Sequence, residues 1–241
     1  MNELLVEDRG AVRILTMNRP EKRNALNTAL TRALLEGLRA ADAAESVACV
    51  LLTGAGQGFC AGADLSEFKD LTPEHRQRVE ERAELTMQLQ LAFSTMAKPV
   101  VTAINGAAMG GGAGLAIAAD LAVMAESAKI GYPETRHGIV AAIVMANLVR
   151  QVGRKQAFEL VALGEPIDAK QALALGMVNR VVPDRDLLSS ALLVADKLSN
   201  VDARALRATK QLFHEVADLP LEEALLRGRE LNKRMRAFHR A

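Results

Sequence analysis

The 241-residue chain contains no tryptophan, one tyrosine and six phenylalanines. So few aromatic rings exclude stacking platforms for bases or sugars as its main business. Neither sign of charge dominates. A net charge of +1 leaves no basic field of the kind that nucleic-acid binding needs, and no nucleic-acid partner is expected. The two cysteines, Cys49 and Cys60, form no CxxC pair and no metal-ligand spacing. A reduced, cytoplasmic setting without metal is the simplest reading. The first ten residues, MNELLVEDRG, lack the apolar stretch of a secretory leader. Only 99–119 approaches the length of a membrane span, and Asn105 and five glycines interrupt it. It reads better as a buried strand, a loop and a helix, and no membrane partner is expected.

What is present is a strand–loop–helix rhythm in a chain half of whose residues are hydrophobic, enough for one large core. Leu4–Val6 and Val12–Met17 alternate about Arg9-Gly10 as a hairpin. Asn18 to Asn24 is a polar loop interrupted by Pro20. Asn27 is a suitable N-cap for a helix over Thr28–Ala41, where Leu30, Leu34, Leu35 and Leu38 recur at helical spacing. Val47–Leu52 and Pro99–Ile104 are short apolar runs of the buried-strand kind, and Thr53 to Gly58 follows the first as a turn. Helices are expected over 65–71, 73–97 and 107–119, with short strands at 121–124 and 129–131. Beyond Glu134 the pattern becomes mostly helical: 141–151, 154–162, 169–175, 187–199, 203–216 and 221–238, with one strand at 178–182. The expected division is a core over 1–190 and a helical region over 191–241.

Two glycine-rich turns follow buried strands. Gly110, Gly111, Gly112 and Gly114 open an apolar small-residue helix, whose N-terminus offers unpaired N–H groups. The glycines serve either tight helix–strand packing or close approach of a ligand to the backbone. No Lys-Ser/Thr follows them, so this is not a P-loop. The second turn is Cys60-Ala61-Gly62-Ala63-Asp64, in which Asp64 alone reads as an N-cap and Cys60 as a small buried residue. Two N–H donors from separate loops are what an acyl oxyanion requires. Glu134, between Tyr132-Pro133 and the apolar 139–142 stretch, is either a surface glutamate or a partly desolvated general base. His137 is either structural or a second acid/base group. No GxSxG elbow, HExxH or Cys/His pairing is present.

Taken together, NALN at 24–27, FCAGADL at 59–65, INGAAMGGG at 104–112 and YPE at 132–134 resemble the crotonase (enoyl-CoA hydratase/isomerase) superfamily in order and spacing. The resemblance covers nearly the whole chain. It implies an α/β fold: a spiral of ββα repeats followed by a helical C-terminal trimerisation region, assembled as a homotrimer or a dimer of trimers. It implies acyl-CoA thioester substrates, with coenzyme A present only as part of the substrate and no separate cofactor. It places the oxyanion N–H donors at Ala63 and Gly111 and the catalytic carboxylate at Glu134. Ala25, Leu26, Ala61, Asp64, Leu65, Gly114, Pro133 and His137 fall at positions that line the substrate and CoA channel. Hydratases of the two-glutamate type carry their first glutamate where this chain has Gly114. A single base resembles the enoyl-CoA isomerases instead. The resemblance therefore implies enoyl-CoA isomerisation or hydration. Decarboxylation, thioester hydrolysis and a non-catalytic acyl-CoA-binding trimer remain as alternatives. Arg227, Arg229, Lys233, Arg234 and Arg240 are candidates to meet the CoA phosphates.

Overall fold

The computed structural model describes residues 2–237. Its framework is a six-stranded sheet in the order β1 (Leu4–Arg9), β2 (Val12–Met17), β3 (Cys49–Gly54), β5 (Val100–Ile104), β7 (Leu121–Ala125) and β10 (Arg180–Val182). The β1–β2 hairpin is antiparallel, whereas β2, β3, β5, β7 and β10 run parallel. Parallel strands are covered on both faces, so β5 reads as an unbroken buried run rather than an alternating one.

A second, smaller sheet holds β4 (Gly58–Cys60), β6 (Ala107–Met109), β8 (Lys129–Gly131) and β9 (Ile167–Asp168) in that order. Its first three strands pair in parallel, and β9 closes the edge antiparallel to β8. β3, β5 and β7 of the large sheet each pass directly into a strand of the small one: β3 into β4, β5 into β6, and β7 into β8. Each pair is followed by a helix: α2 (Arg76–Thr95), α3 (Gly111–Ala118) and α4 (Met145–Val152). This is the expected ββα spiral.

Helix α1 (Thr28–Ala43) starts where Asn27 accepts the Leu30 N–H at 2.7 Å, and its leucine face is buried. After α4 come α5 (Arg154–Leu163), α6 (Ala169–Ala174) and α7 (Leu187–Ser199). α6 begins with a reciprocal capping box between Asp168 and Gln171. α7 spans residues 190 and 191 and packs on β3, β5 and β7. The final pair, α8 (Ala203–Val216) and α9 (Leu221–Ala237), pack on each other, and α8 also meets α2. α8 is pinned to the sheet by a buried ion pair. Lys210 donates to Asp120 and to the Lys98 carbonyl, both at 2.8 Å, while Asp120 accepts the Val100 N–H at 2.7 Å. The expected end of the last helix at Phe238, and Arg240, lie outside the described residues. No helix among the described residues is long and apolar enough to cross a membrane.

Several expectations need correction. Ala107–Met109 is a strand, not the first turn of a helix, because β4 and β8 both recruit it into the small sheet. Two-sided pairing outweighs the helical preference of alanine. Gly58–Cys60 is likewise a strand rather than the end of a turn. The segment after Asp64 forms 3-10 turns at Leu65–Asp70 and Pro73–His75, and the regular helix starts at Arg76. Residues 141–144 precede α4 as turns, and the strand expected at 178–182 is confined to Arg180–Val182.

Candidate active site

The ends of β4 and β6 are neighbours in the small sheet, which brings the two glycine-rich turns together. Gly62 leads into Ala63, and Gly110 leads into Gly111, the first residue of α3. A Cβ placed on Gly111 would stand 4.0 Å from the Ala63 nitrogen and 3.3 Å from the Leu26 side chain. The Ala63 loop is fixed by backbone pairing to 25–27. Leu26 N–H donates to the Gly62 carbonyl at 2.7 Å, and Asp64 N–H donates to the Leu26 carbonyl at 3.1 Å. These bonds bracket Ala63 and leave its own N–H unused. Neither that N–H nor the N–H of Gly111 donates to a group among the described residues. Such a pair can hold an oxygen that carries developing negative charge.

Glu134 reaches the same place from β8. Gly131 lies in β8, accepts the Gly110 N–H at 2.8 Å, and is followed by Tyr132 and a 3-10 turn over Pro133–His137. Pro133 starts that turn, and Gly138 ends it with φ of +70°. Gly110 has φ of +51°, and a Cβ there would lie 2.8 Å from Glu134 Oε1. Glycine at 110 thus serves both the left-handed backbone and the close carboxylate. Glu134 Oε2 is buried with no hydrogen-bond partner among the described residues. Burial raises the carboxyl above the usual glutamate range, and nearby His137 offsets this in part. The Tyr132 hydroxyl is likewise buried and unpartnered.

The other expected residues are distributed as follows. Ala25 and Leu26 are buried beside the Gly111 turn, while Ala61, Ala63 and Leu65 are exposed along the rim. His137 is exposed at the end of its turn. Asp64 points its carboxylate into the protein, where it accepts from Arg19 Nη2 at 2.9 Å and from the Ser66 hydroxyl at 2.7 Å. These bonds hold its carboxyl below the usual range. At Gly114 a Cβ would fall 2.3 Å from Val144 Cγ1 and 2.9 Å from Gln90 Nε2. The space for a side chain there is already filled. Both cysteines are buried, and burial pushes each thiol up to about 12, so neither is a nucleophile.

Arg19 was not legible as a site residue. It sits in what reads as an ordinary proline-containing loop, and its partner Asp64 is 45 positions away. Its guanidinium ties Asp64 to the Ala25 carbonyl, which accepts from Nη1 at 2.5 Å. Asn24 and Arg82 have similar roles. Asn24 accepts the Arg19 N–H and donates to the Gly58 carbonyl, and Arg82 donates to the Leu26 carbonyl. Replacing Arg19 by Met would leave a buried carboxylate without its cation. We expect a loss of about 3 kcal/mol in urea unfolding, and part of it should return in the Arg19→Met/Asp64→Asn double variant. An unchanged midpoint in the single variant would remove the ion pair from this account.

Comparison with known proteins identifies the family. The enoyl-CoA hydratase/isomerase family model matches residues 7–239. The chain is 38% identical over 234 residues to the 2,3-dehydroadipyl-CoA hydratase of Escherichia coli K12, covering 96% of this chain and 89% of that protein. Among solved structures, the enoyl-CoA hydratase of Mycobacterium smegmatis superposes with a TM-score of 0.92 at 31% identity, covering 97% of this chain and 90% of that one. The enoyl-CoA hydratase of Bacillus anthracis gives 0.91 at 30% identity, covering 96% and 90%. With the motifs, the spiral fold and the matched length all in agreement, the chain belongs to the enoyl-CoA hydratase/isomerase (crotonase) family of enzymes.

Proposed function

We propose that the protein isomerises enoyl-CoA thioesters with Glu134 as its one catalytic base. The thioester oxygen sits between the N–H groups of Ala63 and Gly111, and Ala25, Leu26 and the 61–65 turn flank the pantetheine. Glu134 takes a proton from C2 of a 3-enoyl-CoA. The electron pair moves into a dienolate whose oxygen the two N–H groups stabilise, and the proton returns at C4 to give the 2-enoyl isomer. No redox partner is needed. The observation that carries this reading is the crowding at Gly114. Val144 and Gln90 fill the space a second carboxylate would take, and among the described residues Glu134 is left as the acid–base group beside the donor pair.

Hydration is the second reading, because relatives of this chain are named hydratases. Incubation with 3-hexenoyl-CoA and with crotonyl-CoA in deuterated water, followed by mass spectrometry, separates the two. Conversion of the 3-enoyl to the 2-enoyl thioester without mass gain from water supports one-base isomerisation. Addition of water to crotonyl-CoA, with no isomerisation, would overturn it. In solution we place the protein in a homotrimer or a dimer of trimers. The family resemblance implies that assembly, and Phe213, Leu221 and Leu225 on α8 and α9, with 66%, 76% and 65% of their surface open, offer apolar surface for association.

The pH dependence follows from the same carboxylate. A base must be ionised to accept a proton, and burial raises the carboxyl of Glu134. Turnover per bound substrate should therefore rise with pH along an acid limb displaced above the ordinary glutamate range. A rate–pH profile flat from pH 4 to 7 would remove Glu134 from the rate-limiting proton transfer.

A further inference from the structure

The turn that carries Glu134 is built onto the end of another helix. A helix leaves its last carbonyls without partners in its own coil. At the end of α5, Leu160 accepts the Gly164 N–H at 3.2 Å. The next three carbonyls are served from the 133–137 turn. The Thr135 hydroxyl lies 3.2 Å from the Val161 carbonyl and 3.3 Å from that of Ala162, and its one hydrogen is shared between them. Arg136 Nε donates to the Leu163 carbonyl at 3.0 Å. Gly164 has φ of +62°, and a Cβ there would stand 3.2 Å from Pro133 Cα and 3.3 Å from both Thr135 Oγ1 and Arg136 Cγ. The helix end and the turn therefore touch along their backbones. Two positions further on, Pro166 packs on Gly131, where a Cβ would meet its Cα at 3.0 Å, and β9 then pairs with β8. The 160–168 segment thus holds the chain on both sides of Glu134, and α5 is itself anchored by the buried Ala157, Leu160 and Val161.

The carboxylate has no comparable tether. Glu134 Oε2 is without a hydrogen-bond partner among the described residues, so its place follows from the backbone that carries it. We propose that Thr135 and Arg136 are positioning residues, which fix Glu134 against the Ala63 and Gly111 donors by capping α5. Arg136 Nη2 also meets Glu165 at 3.3 Å, but both side chains are more than half exposed, and such a pair contributes little. The hold is on the main chain of α5. A shift of about 1 Å in a catalytic group, caused from outside the chemistry, is enough to slow a reaction by up to about 10²-fold. The inference rests on the reading above, in which Glu134 is the base.

The test compares Thr135→Val, Thr135→Ser, Arg136→Met and Glu134→Gln with the wild type. Turnover is read on 3-hexenoyl-CoA and crotonyl-CoA. Affinity is read by calorimetry on hexanoyl-CoA, which is saturated and cannot isomerise. Valine keeps the shape of threonine and removes the hydroxyl. Thr135→Val and Arg136→Met should each lower kcat about fivefold and keep hexanoyl-CoA affinity within about twofold, which also reports that the variants are folded. Thr135→Ser retains the donor and should restore kcat to within about twofold of the wild type. Wild-type kcat in either Thr135→Val or Arg136→Met would remove that residue from the role. A loss in Thr135→Ser as large as in Thr135→Val, or a loss confined to affinity, would overturn positioning through the cap. If Glu134→Gln is inactive in the same series, these outcomes leave Glu134 standing as the base. Full turnover in Glu134→Gln, or no turnover of either thioester by the wild type, would overturn the base and its positioning together.

Discussion

Replacing Glu134 by Gln should lower turnover of a 3-enoyl-CoA by about 10³-fold, within the range a positioned general base contributes. Acyl-CoA affinity should stay within about twofold, because the proposed oxygen and pantetheine contacts are made by backbone and by 25–26. Single-turnover kinetics alongside calorimetry distinguishes the two effects. Full turnover in the variant would end the assignment of Glu134 as base. The same substitution should change stability in the opposite sense to activity. The carboxyl of Glu134 is raised in the folded chain, so the native state binds that proton more tightly than the unfolded state does. Its contribution to stability is fully present below the unfolded pKa and is lost as pH rises through the folded one. Glutamine does not titrate and escapes this loss. The variant should gain on the wild type in thermal midpoint as pH is raised across that window. A midpoint difference independent of pH would mean that Glu134 is not desolvated in the folded protein.

The second large effect is expected at Gly112. A Cβ there would lie 2.3 Å from the Cys60 carbonyl oxygen and 2.6 Å from Cys60 Cβ. The clash is with the backbone of β4, which cannot swing aside as the end of a side chain can. Gly112→Ala should cost about 3 kcal/mol, at the upper end for overpacking, and lower the melting temperature by about 6–12 °C. It should also move the first turn of α3 away from β4, and with it Gly111 from Ala63, lowering turnover about 10²-fold. Gly228→Ala on α9 is the control. Nothing lies within 4 Å of the added atom, and the helix should gain about 0.5–1 kcal/mol. Comparable melting temperatures for the two variants would show that the α3–β4 contact is slack.

Much of this was legible from local pattern. The leucine spacing of α1, its Asn27 cap and the apolar runs of β3 and β5 arise from short-range chemistry that a single sequence displays. Of the small sheet only β8 was legible, as the short strand expected at 129–131. Its strands are two or three residues long, and Ala107–Met109 has no strand character of its own until β4 and β8 flank it. The 3-10 turns after Asp64 were hidden for a similar reason. Their apolar spacing is helical, but Asp64 caps Ser66 two residues on, and Pro73 interrupts the chain before α2. At the site, the glycine turns and Glu134 stood out because their residue types are unusual in that order. Arg19, Asn24 and Gln90 did not. Each acts through a partner at least 30 positions away or through space left by another helix, and no spacing rule encodes that.

The proposed donor pair sits in the turns that follow two adjacent, parallel strands, β4 and β6, so its separation is tied to the spacing between neighbouring strands, about 4.8 Å, more than to any side chain. Ala63 supplies only its main-chain nitrogen, and any L-amino acid except proline would supply the same atom. Side-chain scanning at 63 is therefore blind to its proposed role. Sequences could drift freely there while the chemistry persists. Replacing the peptide bond between Gly62 and Ala63 with an ester, by semisynthesis, deletes the single hydrogen-bond donor and leaves every side chain in place. The site is inherited through strand order, and the way to edit it is through the backbone.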